Sequence, residues 1–128
     1  MSSQHGIYKL SVENFIISVY LEGELNEETT ISWIEKVKSI IHTFGTNDFA
    51  MLIDGANALG ATPGAYQVAN KFNEWLNTQN IVAKADISKS NVLAGIHKSL
   101  LPARNKQNIR VFDNVNDGLD WLSSQLEI

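Results

Sequence analysis

Five consecutive apolar residues, Phe49-Ala50-Met51-Leu52-Ile53, stand between Gly45 and the pair Asp54-Gly55. A strand with one wet face alternates apolar and polar side chains; a run without alternation is the mark of a strand covered on both faces. Such a strand belongs in the middle of a sheet with helices on either side, and the periodicity of the rest of the chain supplies them. At 128 residues, with 44% apolar and 19% charged residues, the chain has the size and composition of one globular domain, residues 1–128, with enough apolar surface for a core of its own.

Upstream of the central run, Ile7 to Val12 reads as a short strand, and Phe15, Ile17, Val19 and Leu21 alternate with more polar neighbours along a second. Glu13-Asn14 between them suits a tight hairpin turn. Asn26 is a helix N-cap followed by Glu27 and Glu28 at the positive end of the dipole, with an apolar face Ile31, Ile34, Val37, Ile41, Phe44 and a stop at Gly45. Downstream, Asp54-Gly55 ends the central strand, and a glycine-rich connection over 54–61 leads to Thr62-Pro63, an N-cap with proline at the first helical position. Val68, Ala69, Phe72 and Leu76 form the face of that helix. Ile81 to Ile87 is a further strand. After a break over 88–91, a third helix runs to Pro102 and is followed by a strand over Ile109 to Phe112. Asp113 or Asn114 caps a terminal helix that turns Val115, Leu119, Leu122 and Leu126 inward.

The order ββαβαβαβα is an antiparallel hairpin leading into right-handed βαβ crossovers: an α/β sandwich with a mixed, mostly parallel sheet. Ligands of such sheets sit beyond the carboxyl ends of the parallel strands, where Asp54 to Thr62 and Ser88 to Asn91 emerge.

Several chemistries are excluded. The chain has no cysteine, so it has neither disulfides nor a thiol nucleophile. His5, His42 and His97 form no metal-ligand spacing. Gly55, Gly60 and Gly64 match no phosphate-loop pattern. Asp54 is placed for a general base but has no partner at a recognisable spacing, and Asp-Gly is ordinary turn chemistry. The expectation is a non-enzymatic protein without metal or cofactor. Net charge −4 argues against nucleic acid as partner. The start lacks a secretory pattern and no window has the length of a transmembrane helix, so a cytoplasmic location is expected.

One segment reverses the charge. Between positions 84 and 110 stand Lys84, Lys89, Lys98, Arg104, Lys106 and Arg110 against Asp86 alone, a local +5. The helix inside it carries an apolar stripe, Val92, Leu93, Ile96, Leu100 and Leu101, in which Leu101 widens the arc beyond what packing on a sheet requires. Gly95 in its middle lowers helix stability by about 1 kcal/mol relative to alanine. These features suit a mobile amphipathic helix over about 90–101. Its apolar residues would line or gate a cavity for a small apolar or amphiphilic, lipid-like ligand, while Lys89, Lys98, Arg104 and Lys106 would meet anionic head groups at the inner face of a membrane. A packed crossover helix with a solvated basic edge accounts for the same residues.

The element order, with Ile53-Asp54-Gly55, the Thr62-Pro63 helix start and the ending Val111-Phe112-Asp113 through Leu119-Asp120-Trp121-Leu122, resembles the SpoIIAA-like family, relatives of the STAS domains. The resemblance implies a fold similar to the lipid-binding CRAL-TRIO proteins. For STAS domains proper it implies a different role, as phosphorylation-switched partners of regulatory kinases and sigma-factor antagonists. The STAS switch residue is a serine at the start of the helix after the central strand, usually after aspartate. The nearest residue is Thr62, without the Asp-Ser pair and already accounted for as an N-cap. The resemblance therefore leaves a second expectation, a regulatory module that binds a protein partner around residues 54–66 and is switched at Thr62. Self-association as a homodimer stays open.

Overall fold

The computed structural model describes residues 5–89 and 99–127. Val92, Leu93, Ile96 and Lys98, four of the residues assigned to the amphipathic helix, lie outside the described residues.

The first two strands, β1 (Ile7–Glu13) and β2 (Ile16–Leu25), form an antiparallel hairpin in which Glu13 faces Ile16. Its two-residue turn is Asn14-Phe15 rather than Glu13-Asn14, and both turn residues take positive φ, 51° and 63°. That is the backbone sense that matches the strand twist in a tight hairpin. Phe15 therefore leaves the alternating strand to which its spacing assigned it. Its ring packs edge-on against Phe44 at 5.1 Å, and its carbonyl accepts the Ala50 amide, which offsets the strain of a non-glycine residue in this region.

Helix α1 (Glu27–Thr43) starts at Asn26, whose Oδ1 accepts the Thr29 amide at 3.0 Å. Its buried face is Thr30, Trp33, Ile34, Val37 and Ile41. Ile31, expected on that face, is 41% exposed: at 3.6 residues per turn it lies roughly 90° from the axis set by Ile34, Val37 and Ile41, and Trp33 takes the inward place. Gly45, at φ 63°, ends the helix as expected.

Strand β3 (Phe49–Ala61) is thirteen residues long. Asp54-Gly55 does not end it, and the 54–61 segment is strand rather than loop. The reason is non-local: β2 continues through Glu22, Gly23, Glu24 and Leu25, which pair with Asn57, Ala58, Gly60 and Ala61, through two register shifts. Helix α2 (Pro63–Leu76) begins at Thr62, whose Oγ1 accepts the Ala65 amide at 3.2 Å. Then come β4 (Ile81–Ile87), a 3-10 turn over Pro102–Lys106, β5 (Ile109–Phe112) and α3 (Val115–Leu126), capped by Asn114.

The sheet order is β1-β2-β3-β4-β5, antiparallel at β1–β2 and parallel elsewhere. Successive residues of β3 serve opposite faces. Phe49 and Met51 join Ile17, Val19 and Leu21 under α1 and α2, while Ala50 and Leu52 join Ile16, Ala83, Ala85 and Ile87 under α3. Three alanines on the second face let α3 approach closely. A Cβ added at its Gly118 would stand 3.0 Å from Ile87 Cδ1 and 3.2 Å from Leu52 Cδ1, so glycine sets the depth at which the helix seats. Phe49 to Leu52 are buried as the unbroken apolar run requires, but Ile53 is only half-buried, at the point where β3 outruns its neighbour.

Candidate functional site

Pairing between β3 and β4 stops at Asp54↔Ile87, so the last seven residues of β3 have β2 on one side and, among the described residues, no strand on the other. On the α1/α2 face this leaves a cavity of about 120 Å3, beyond the carboxyl end of β4. Its walls are apolar: Leu21 and Leu25 from β2, Trp33 from α1, Ile53, Ala58 and Ala61 from β3, Ala65, Ala69 and Phe72 from α2, and Leu101 before the 3-10 turn. Trp33 and Phe72 meet edge to face at 5.7 Å.

The polar part of this wall comes from Lys84, Asp86, Asn73 and Arg104, with the hydroxyl residues Thr30, Tyr66 and Ser88. Lys84 and Asp86 alternate with Ala83, Ala85 and Ile87, so their side chains project on the face opposite α3. Lys84 is 3% exposed, and its Nζ donates to Asn73 Oδ1 at 2.6 Å. Asn73 is itself fixed, since its Nδ2 donates to the Ala69 carbonyl and its Oδ1 also accepts Gln107 Nε2 at 3.1 Å. Asp86 is ion-paired with Arg104, and both side chains are largely buried. Burial, and then the Arg104 guanidinium, lower the pKa of Lys84 from 10.5 to about 7, against the pull of Asp86.

This has a consequence for stability. Between about pH 7 and 10.5 the unfolded chain holds a proton on Lys84 that the folded chain lacks, so the unfolding free energy should rise with pH through that window, by at most about 1.4 kcal/mol per unit. Below pH 7 both states hold the proton and this contribution is flat. Urea unfolding from pH 7 to 10 should show the rise in the native protein. Lys84→Met should flatten it and should leave the protein at least as stable at pH 7.

The residues singled out in the sequence are dispersed. Leu101 is 7% exposed and lines the cavity, so it belongs to the packed interior rather than to the outer margin of an amphipathic arc, whereas Leu100 is 47% exposed. Arg104 is not a free head-group contact, because Asp86 neutralises it within the wall. Lys89 and Lys106 are exposed. The +5 segment is therefore no continuous basic surface: two of its cations, Lys84 and Arg104, face inward. Arg110 lies over the Trp121 ring at 5.9 Å. Asp54 lies on the other side of the sheet, where its Oδ1 accepts the Ala56 amide at 3.3 Å and it lines a groove with Tyr20 and Lys9. It does not share the cavity with Lys84 and is not brought together with Thr62. The described residues contain no cluster of metal-ligating side chains and no helix long and apolar enough to cross a membrane.

Lys84, Asp86, Asn73 and Trp33 were not selected from the sequence as site residues. The available signal was Lys84 and Asp86 two apart on a strand that βαβ topology covers on both faces. Charges there must be paired or neutralised.

Nothing among known family profiles or curated protein sequences matches this chain. Solved structures do. A protein of the DUF3478 family from Shewanella loihica PV-4, described as having a SpoIIAA-like fold, superposes with a TM-score of 0.72 at 19% identity, over 95% of this chain and 98% of its own. The fold is SpoIIAA-like. The anti-sigma factor antagonist SpoIIAA in its unphosphorylated form gives 0.63 at 9% identity, over 89% and 94% of the two chains. The phosphorylated form of the Bacillus cell-fate determinant SpoIIAA gives 0.61 at 13%, over 90% and 98%.

Proposed function

We propose that this chain is a non-enzymatic regulatory module of the STAS type, which docks a protein partner at the carboxyl end of its parallel strands. The observation that carries the reading is Leu59. It lies on the overhanging part of β3, three residues before the start of α2, and is 81% exposed, the largest exposure among the described large apolar side chains. An apolar side chain held out at this end of the strand offers a partner an apolar anchor. The SpoIIAA-like fold, shared with an anti-sigma factor antagonist, supports the class.

A phosphorylation switch at Thr62 draws less support than the docking itself. The Thr62 hydroxyl already satisfies the Ala65 amide, and the Glu27 carboxylate stands at the same helix start, 2.6 Å from where a Cβ on Gly64 would be. Negative charge is favoured at a helix N-terminus, but a phosphate there would meet Glu27. Thr62→Ala should cost about 1 kcal/mol in thermal unfolding, whereas Thr62→Ser should cost little. An alanine variant as stable as the native protein would remove the capping explanation and return Thr62 to the role of acceptor. A lipid-like ligand and a peripheral membrane contact have weaker support, since the cavity is small and Arg104 is engaged.

The docking reading is tested by a photo-crosslinking residue at position 59, with exposed Lys71 on α2 as control. Position 59 should yield a discrete crosslinked polypeptide in cells, position 71 should not, and native chain but not Leu59→Glu should compete it away. Identical products at both positions, or competition by Leu59→Glu, would end the proposal.

A further inference from the structure

Among the charged groups of the cavity wall, basic ones outnumber acidic ones. Lys84 and Arg104 bring two basic groups against the single carboxylate of Asp86, and Asn73 Oδ1 is shared between Lys84 and Gln107. Trp33, also in the wall, is 6% exposed, and its indole Nε1 is buried without a hydrogen-bond partner. A buried donor left unmade is costly, and native proteins seldom keep one without a water or ligand to satisfy it. Most of the remaining lining is aliphatic or aromatic, and Thr30, Tyr66 and Ser88 add hydroxyl groups to it. The occupant that answers both halves has an acceptor-only anionic end and an apolar body.

Size narrows the class. An apolar cavity of about 150 Å3 holds benzene, so about 120 Å3 admits a body of roughly six or seven non-hydrogen atoms and no long acyl chain. The geometry points to a binding site for a short branched or cyclic monocarboxylic acid, its carboxylate set between Lys84 and the Trp33 indole and its hydrocarbon between Leu21, Leu25 and Phe72. This inference is independent of the protein-docking reading, which concerns the Leu59 surface.

Binding of this kind takes up a proton. An anion beside Lys84 raises the affinity of its amine for a proton, so carboxylate and proton enter together. The charged groups facing Lys84 are Asp86 on its own strand and Arg104 from the 3-10 turn. Helix α2 contributes the uncharged Asn73 and, elsewhere in the wall, Tyr66, whose pKa is raised by burial. The cavity-lining residues of β3 and α1 bring no titratable side chain.

Calorimetric titration with isovalerate and with its neutral isostere isovaleramide tests the proposal. Isovalerate should bind at least tenfold more tightly at pH 7. Its Kd should rise up to tenfold per pH unit above 7, and paired buffers of different ionisation enthalpy should report uptake approaching one proton at pH 8. Lys84→Met should erase the preference for the acid, and Trp33→Phe should weaken binding several-fold. The native protein's pH profile and proton count decide the matter even if either variant fails to fold. Equal binding of acid and amide, tighter binding of palmitate than of isovalerate, no proton uptake, or no binding at millimolar isovalerate would each overturn it.

Discussion

Leu52→Asp should prevent folding. Leu52 is 1% exposed, lies on the α3 face of the central strand and has Ser18 and Ala85 as its neighbours across the sheet. Its Cδ1 already marks the limit of approach for Gly118. A carboxylate there loses most of its water and joins the apolar cluster of Ile16, Ala50, Ala83, Ala85, Ile87 and Leu122, with no basic side chain paired to it across the sheet. The penalty for an unpaired buried charge, added to the lost leucine contacts, is on the order of 5 kcal/mol or more, comparable with the whole stability of a domain this size. The variant should be insoluble, or should lack a cooperative thermal transition. Met51→Asp should be milder although Met51 is just as buried, because its partner across β4 is Lys84, an amine that can protonate to meet the new charge. Leu52→Asp melting like the native protein would mean that the sheet is not covered on this face.

That contrast marks where sequence reading succeeds and where it stops. Both residues sit in one uniform apolar run, and the run alone establishes a strand buried on both faces. The N-caps Asn26 and Thr62 were legible for the same reason, and Asn114 was one of two candidates with Asp113: each is a short-range contact between a side chain and an amide three residues ahead. The length of β3 was not legible, because Asp54-Gly55 and the glycines after it carry turn chemistry. Only the continuation of β2 through Leu25, far away in sequence, holds them in a strand. The fate of the basic segment was hidden in the same way. Lys84 and Asp86 enter only the charge count of the segment until Asn73 from α2 and Arg104 from the 3-10 turn are brought over them. Those contacts span 11 residues for Lys84–Asn73 and 18 for Asp86–Arg104. The first expectation for this segment, a membrane-facing patch, rested on counting charges without knowing which were spent internally.

Asp86→Ala should cost about 3 to 5 kcal/mol at pH 7, the penalty for stripping one partner from a largely buried ion pair. The loss has two parts that a double-mutant cycle separates. Arg104 is left in the cavity wall without its counter-charge, and Lys84 loses the one neighbour that favours its protonated form, so its pKa should fall further. In the double variant Asp86→Ala with Lys84→Met, the cost of burying and deprotonating the amine is gone, and urea unfolding should recover at least about 1 kcal/mol relative to Asp86→Ala alone. Additive changes would mean that Lys84 does not sense Asp86. The amine and the ion pair would then be separate features of the wall rather than one coupled network.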